Sequence, residues 1–231
     1  MIDFKGYDWI FWEGTKITLL VGLASLPVAL LFGLLGAWGK LSHLQPLRWL
    51  AGSYTTVVRG IPELVLILLI YYGLTILLQD LVEFLTGSAR PVDLPRFLTG
   101  TLTLGIIYGA FATEVFRGAF LAVDRGQIEA AYAYGMSRPL AFRRVILPQM
   151  WRFALPGLGN LWLVLLKATA LVSVIQLPDL IYWTGVARMK THEPFTFYFT
   201  ASLIYLAITA ASLLAMRYAE RWAARGVARR L

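Results

Sequence analysis

The sequence predicts an all-α integral membrane protein of five transmembrane helices, with the N-terminus outside and the C-terminus inside. Three observations carry this prediction. Hydrophobic residues fill 58% of the 231 positions and charged residues only 15%, against about a quarter charged in a soluble domain. Two charge-free runs, residues 17–39 and 194–216, are each long enough to cross a bilayer, which takes roughly 20 residues at ~1.5 Å rise. Basic residues collect in the segments that this topology places inside. The mean hydropathy of +0.67 agrees. The whole chain, 1–231, reads as one domain.

The first span, 17–39, is too long for the apolar region of a cleavable signal. Asp3, Asp8 and Glu13 also stand where such a signal needs basic residues, so the segment is expected to remain as a helix. Ala29 and Gly33 have the small-xxx-small spacing that lets helix backbones approach closely. Residues 33–40 resemble a phosphate loop only superficially, because Leu34 replaces the required glycine and Leu41 the required Ser or Thr. This chain is therefore expected to bind no nucleotide or other cofactor.

The middle spans are apolar runs marked by one charge each. Residues 64–79 follow Glu63, residues 97–113 precede Glu114, and residues 153–178 contain Lys167. Such groups are tolerated where they face a bundle interior or an aqueous path. Trp9, Trp12, Trp49 and Trp183 near span ends read as interface anchors against membrane lipid.

Fourteen of the 21 Lys and Arg residues then fall inside, six outside, and Lys167 within the membrane. Eight acidic residues fall outside and three inside. This positive-inside bias explains the net charge of +8 without a nucleic-acid partner. With no Cys and only His43 and His192, neither a metal site nor a thiol nucleophile is expected.

Of the connecting segments, 40–53 is a short inside loop, and 80–96 and 179–193 are outside loops of mixed charge. The longest inside segment, 117–152, has helical character. Residues 127–134 are rich in Ala and Glu. Gly135 suits a left-handed helix end, Ser137 suits a second N-cap with Pro139 in the first turn, and that helix is expected to stop before Pro148.

This loop, about 124–148, reads Glu129-Ala130-Ala131, then Gly135, then Val145-Ile146-Leu147-Pro148. The pattern resembles the EAA loop of permease subunits of bacterial ABC importers. Arg59-Gly60-Ile61-Pro62-Glu63-Leu64 is similar to a segment of polar amino-acid permeases. So are Thr113-Glu114-Val115-Phe116-Arg117-Gly118, Leu155-Pro156-Gly157-Leu158-Gly159-Asn160, and the stretch from Leu166-Lys167 through Thr169 to Ser173. The likeness is to Q-type subunits of histidine/lysine/arginine/ornithine and opine importers, and it covers most of the chain.

The resemblance implies the type I importer fold in the bacterial inner membrane. The partners it implies are an ATPase dimer carrying ATP and Mg, a second related permease subunit in a heterodimer, and a periplasmic substrate-binding protein. It also implies that Glu129, Ala130, Ala131, Gly135 and Pro148 belong to a lever gripped by the ATPase, with Arg143 or Arg144 a charge partner for Glu129.

The substrate is expected to be a polar, preferably basic, amino acid, with opines as the alternative. Candidate pathway residues are Arg59, Glu63, Glu114, Asn160, Lys167, Thr169 and Ser173. For the charges, the competing reading is internal pairing, Glu114 with Lys167 or Glu63 with Arg59. For Asn160 it is a hydrogen bond across helices, and for Thr169 and Ser173 bonds to their own backbone. An ion-gradient carrier using the three charges as a proton relay is a second functional class. A membrane enzyme is a third, and no catalytic constellation supports it.

Overall fold

The computed structural model describes residues 4–88 and 94–223. Asp3, Arg90, Asp93, Arg225, Arg229 and Arg230, which entered the charge bias, lie outside the described residues. The described chain is helical, with α1 (Trp9–Leu41), α2 (Gln45–Gly60), α3 (Glu63–Thr86), α4 (Arg96–Leu121), α5 (Arg125–Ala133) and α6 (Arg138–Ala141) in order. A π-helical turn (Phe142–Ile146) leads into α7 (Leu147–Ala168), a 3-10 segment (Thr169–Ile175), α8 (Leu180–Thr191) and α9 (Pro194–Ala223). Five stretches are long and apolar enough to cross a membrane: α1, α3, α4, the Arg138–Ile175 stretch and α9.

The core is built on α1 against α4, and small residues make that contact possible. A Cβ at Gly33 would lie 2.5 Å from the Ala112 Cβ, and one at Gly36 would collide with the Thr113 side chain. The small-residue spacing in the first span therefore does bring two backbones together. Ser25 adds a buried bond from its hydroxyl to the Thr101 carbonyl, 3.1 Å. Around this pair Phe116, Tyr108, Leu104, Met150 and Leu165 complete the main apolar cluster. A second, smaller cluster joins Phe4, Tyr7, Ile10 and Phe11 to Phe197 and Trp183 at the end of the bundle away from α5.

Several boundaries differ from those the sequence predicts. α1 begins at Trp9 rather than near 17 and is 33 residues long, about 50 Å. Its charged first turns extend a helix that hydropathy alone cuts short. Residues 40–53 are not a simple loop. They hold the start of α2, whose half-buried and buried positions Leu47, Ala51, Tyr54, Thr55 and Val58 recur with helical spacing against α1 and α4. The Tyr54 hydroxyl donates to the Ile106 carbonyl and ties α2 to α4.

The helix after Ser137 does not stop before Pro148. Proline occupies the first turn of α7, where its missing N–H costs little, and the π-helical turn carries the chain across. The fourth span loses its regular α-helix at Thr169 and finishes as the tighter 3-10 segment. The segment 179–193 is mostly helix, started by the Asp179 side chain accepting the Tyr182 N–H.

Candidate functional site

The junction between α2 and α3 follows from the sequence Arg59-Gly60-Ile61-Pro62-Glu63. Proline has no N–H to continue a helix, and it pushes the residue before it out of the helical region. Ile61 is accordingly extended, with φ −105° and ψ 137°. The break places Arg59 at the end of one helix and Glu63 at the start of the next, on one cavity of about 360 Å³. The opposite walls come from Tyr108, Phe111 and Glu114 of α4 and from Gly157, Asn160 and Val164 of α7.

Inside this cavity the two carboxylates have different surroundings. Glu114 accepts from Lys40 of α1 and, at 2.9 Å, from Arg117 one turn along α4. It is therefore already neutralised by two cations, with about a quarter of its side chain exposed (23%). Glu63 has no cation partner among the described residues. The Tyr108 hydroxyl lies 3.1 Å from both Glu63 oxygens and donates to them. The first turn of α3 also favours a negative charge at Glu63 through the helix dipole. Arg59 does not pair with Glu63, because its guanidinium lies over the Phe111 ring, 5.3 Å from the centroid.

The structure separates the other pathway candidates. Asn160 makes no hydrogen bond across helices among the described residues and lines the cavity instead. Lys167 does not meet Glu114. It is exposed in the last turn of α7, where a cation suits the helix dipole, and it is not among the cavity-lining residues. Thr169 and Ser173 donate to the Leu166 and Ala170 carbonyls, at 2.7 and 2.8 Å, and so bond their own backbone.

Lys40, Tyr108, Phe111 and Arg117 are participants that the sequence reading did not select. For α4 a signal was available: Tyr108, Phe111 and Glu114 recur every third residue and share a helix face. For Lys40 there was none, since its partner lies 74 residues away. Replacing Glu114 with Gln should strand Lys40 and Arg117 and cost about 2 kcal/mol of stability. A lowered melting temperature of the purified chain would check this, and an unchanged one would mean the ion triad contributes nothing.

The second candidate region is α5 and α6. Asp124 starts α5, accepting from the Gly126 N–H at 2.7 Å and the Gln127 N–H at 3.3 Å. Gly135 ends it with φ +78°. The Gly135 N–H bonds to the Tyr132 carbonyl and the Met136 N–H to the Ala131 carbonyl, the paired bonds of a Schellman end. Ser137 stands at the N-cap of α6, but its side chain makes no capping bond.

Ala131 is buried, whereas Glu129, Ala130, Gly135, Arg143, Arg144 and Pro148 are exposed. Among the described residues no ion pair joins Glu129 to Arg143 or Arg144, since all three side chains point to solvent. Tyr134, 87% exposed, projects at the corner beside them. Truncating Asp124 to Ala should loosen α5 by about 1 kcal/mol. Faster amide exchange at 126–130 measures that effect.

The family model of the binding-protein-dependent transport system inner membrane component matches residues 29–225. The chain is 44% identical to the histidine/lysine/arginine/ornithine transport system permease protein HisQ of Escherichia coli, over 97% of each chain. It is 44% identical to the octopine transport system permease protein OccQ of Rhizobium radiobacter, over 98% of this chain and 94% of the relative. Among solved structures, an amino acid ABC transporter described with histidines superposes with TM-score 0.80 at 34% identity, covering 96% of this chain and 99% of that one. The MetNI methionine ABC transporter, inward facing, superposes with TM-score 0.70 at 16% identity and shares the fold.

Proposed function

The chain belongs to the binding-protein-dependent transport system inner membrane components, as a permease subunit of an amino-acid ABC importer, and from that premise we propose that it moves a basic amino acid past Glu63 under the drive of a separate ATPase. The observation that carries the substrate reading is the carboxylate of Glu63, which lines the cavity without a cation of its own. A substrate ammonium or guanidinium supplies the missing charge. Tyr108 orients the carboxylate, and Asn160 offers a neutral donor and acceptor on the facing helix. The cavity size suits a small molecule, for which pockets run to about 300–1,000 Å³.

The coupling reading rests on mechanical continuity. From Arg138 to Ala168 the chain is helical without interruption, running from the α5–α6 corner to the cavity wall at Gly157, Asn160 and Val164. A load applied to α5 therefore reaches the cavity through one rod. The exposed face of Glu129 and Ala130, with Tyr134 at its edge, presents a carboxylate, a methyl group and one ring to a groove on the ATPase. In this reading α5 faces the cytoplasm and the N-terminus faces out. The ATPase dimer holds ATP and Mg, a second related permease closes the path, and a periplasmic protein delivers the ligand.

An opine is the second reading. Arg59 shares the cavity with Glu63, so one site offers both charges to a ligand carrying a guanidinium and additional carboxylates.

Reconstitution with the ATPase, the second permease and the binding protein tests the proposal, with labelled arginine, histidine and octopine as probes. ATP-dependent arginine uptake is expected. Uptake by this chain alone, driven by an ion gradient without ATP, would overturn it. Gly135→Val should cost roughly 1–2 kcal/mol at the left-handed corner and uncouple ATP hydrolysis from uptake. Pull-down of the second permease should be unaffected.

A further inference from the structure

At the end of the bundle opposite α5, Asp179 is fully buried, with 0% exposure. Its Oδ1 accepts the Tyr182 N–H at 2.8 Å. Its Oδ2 is buried with no hydrogen-bond partner. The Tyr205 hydroxyl of α9, also buried, stands against the hydroxyls of Thr18 of α1 and Thr169, within electrostatic reach of Asp179. A buried carboxylate oxygen with no partner needs an explanation. The surrounding backbone leaves little slack, since a Cβ at Gly14 of α1 would fall 2.6 Å from the Leu180 Cα.

No described cation neutralises this carboxylate. On α1 the nearby charges Glu13 and Lys16 pair with each other at the surface. Arg96 of α4 donates to the Gln176 carbonyl, 3.4 Å, and Arg188 of α8 lies over the Tyr198 ring. From α9 the titratable group beside it is Tyr205, while α1 and the 3-10 segment present the hydroxyls of Thr18 and Thr169. Thr18 accepts the Leu180 N–H, and Thr169 donates to Leu166 and keeps an acceptor lone pair. An ionised Asp179 would be a buried charge held by a helix N-terminus alone, whereas a neutral one becomes the donor this volume lacks.

We infer that Asp179 is held as a neutral carboxylic acid in this buried volume, and that losing its proton loosens the junction of α1, α8 and α9. Nothing in this inference depends on which substrate the chain carries. Burial pushes the Asp179 carboxyl up to about 7 from its ordinary 3.8. The folded chain then holds the proton where the unfolded chain releases it. The stabilisation is complete at the lower value, declines as pH rises toward 7, and is gone above it.

Infrared spectra of the full chain in lipid nanodiscs, with 13C-labelled aspartate, test this. The other described aspartates, Asp8, Asp80 and Asp124, are exposed. A labelled protonated-carboxyl band should persist at pH 6 and vanish by about pH 8. The melting temperature should fall over the same range, and Asp179→Asn should remove both the band and the pH dependence. Absence of the band at pH 6 overturns the inference. So does a titration that moves when sodium is replaced by choline at constant ionic strength, because a metal cation would then be the occupant. Should Asp179→Asn fail to fold, the wild-type band decides alone.

Discussion

Glu63→Gln leaves the importer assembled and lowers uptake of a basic amino acid roughly 10- to 100-fold, the equivalent of losing one charge-assisted bond of about 1.5–3 kcal/mol. The glutamine carbonyl still accepts from Tyr108, so the wall of the cavity keeps its shape. What disappears is the one cavity carboxylate that the described residues do not already neutralise with a cation. Uptake kinetics in proteoliposomes, with co-purification of the other subunits as the assembly control, measure the effect. The comparison with Glu114→Gln is informative. That change should lower stability first, because Glu114 holds Lys40 and Arg117. Equal uptake by wild type and Glu63→Gln would remove the substrate role assigned to this side chain.

Gly36→Leu prevents the bundle from forming. Inserting methylenes into a packed interior ordinarily costs about 1–3 kcal/mol, but there the neighbours can adjust. At Gly36 even a Cβ meets the Thr113 side chain, on the α1–α4 crossing that the core is built around. A whole isobutyl group requires the two helices to separate, with loss of the adjoining Gly33–Ala112 contact. The expected result is no folded chain recovered from membranes. Gly118→Leu on α4 is the control, because nothing lies within 4 Å of a Cβ there, and it should fold normally. Recovery of Gly36→Leu at wild-type levels would mean that the crossing is more yielding than its geometry implies.

The loop from Asp124 to Gly135 was legible because its structure is local. A carboxylate that caps within three residues, helix-forming alanines and a left-handed glycine are each decided by near neighbours in sequence. The break before Glu63 was marked by Gly60 and Pro62 for the same reason. The helical start of α2 was missed because a search for uncharged runs passes over an amphipathic helix carrying Arg48 and Arg59. Charge partners were misassigned for a different reason. Lys167 and Arg59 looked available to Glu114 and Glu63 by their charge and place along the chain, but pairing depends on which helix faces meet.

Composition and apolar length by themselves determined an all-helical membrane chain with two charge-free spans, and admitting one charge at each of three further runs brought the number to the five long apolar stretches of the described residues, because apolar length against bilayer thickness is a property of each segment alone. The motif residues determined the family in the same segment-by-segment way. Only the tertiary structure decided that Glu114 is neutralised by Lys40 and Arg117, that Glu63 has no cation partner among the described residues, and that Asp179 is buried within electrostatic reach of Tyr205. Those outcomes depend on helices brought together from positions far apart in the chain, where the cost of a charge is set by its neighbours in space.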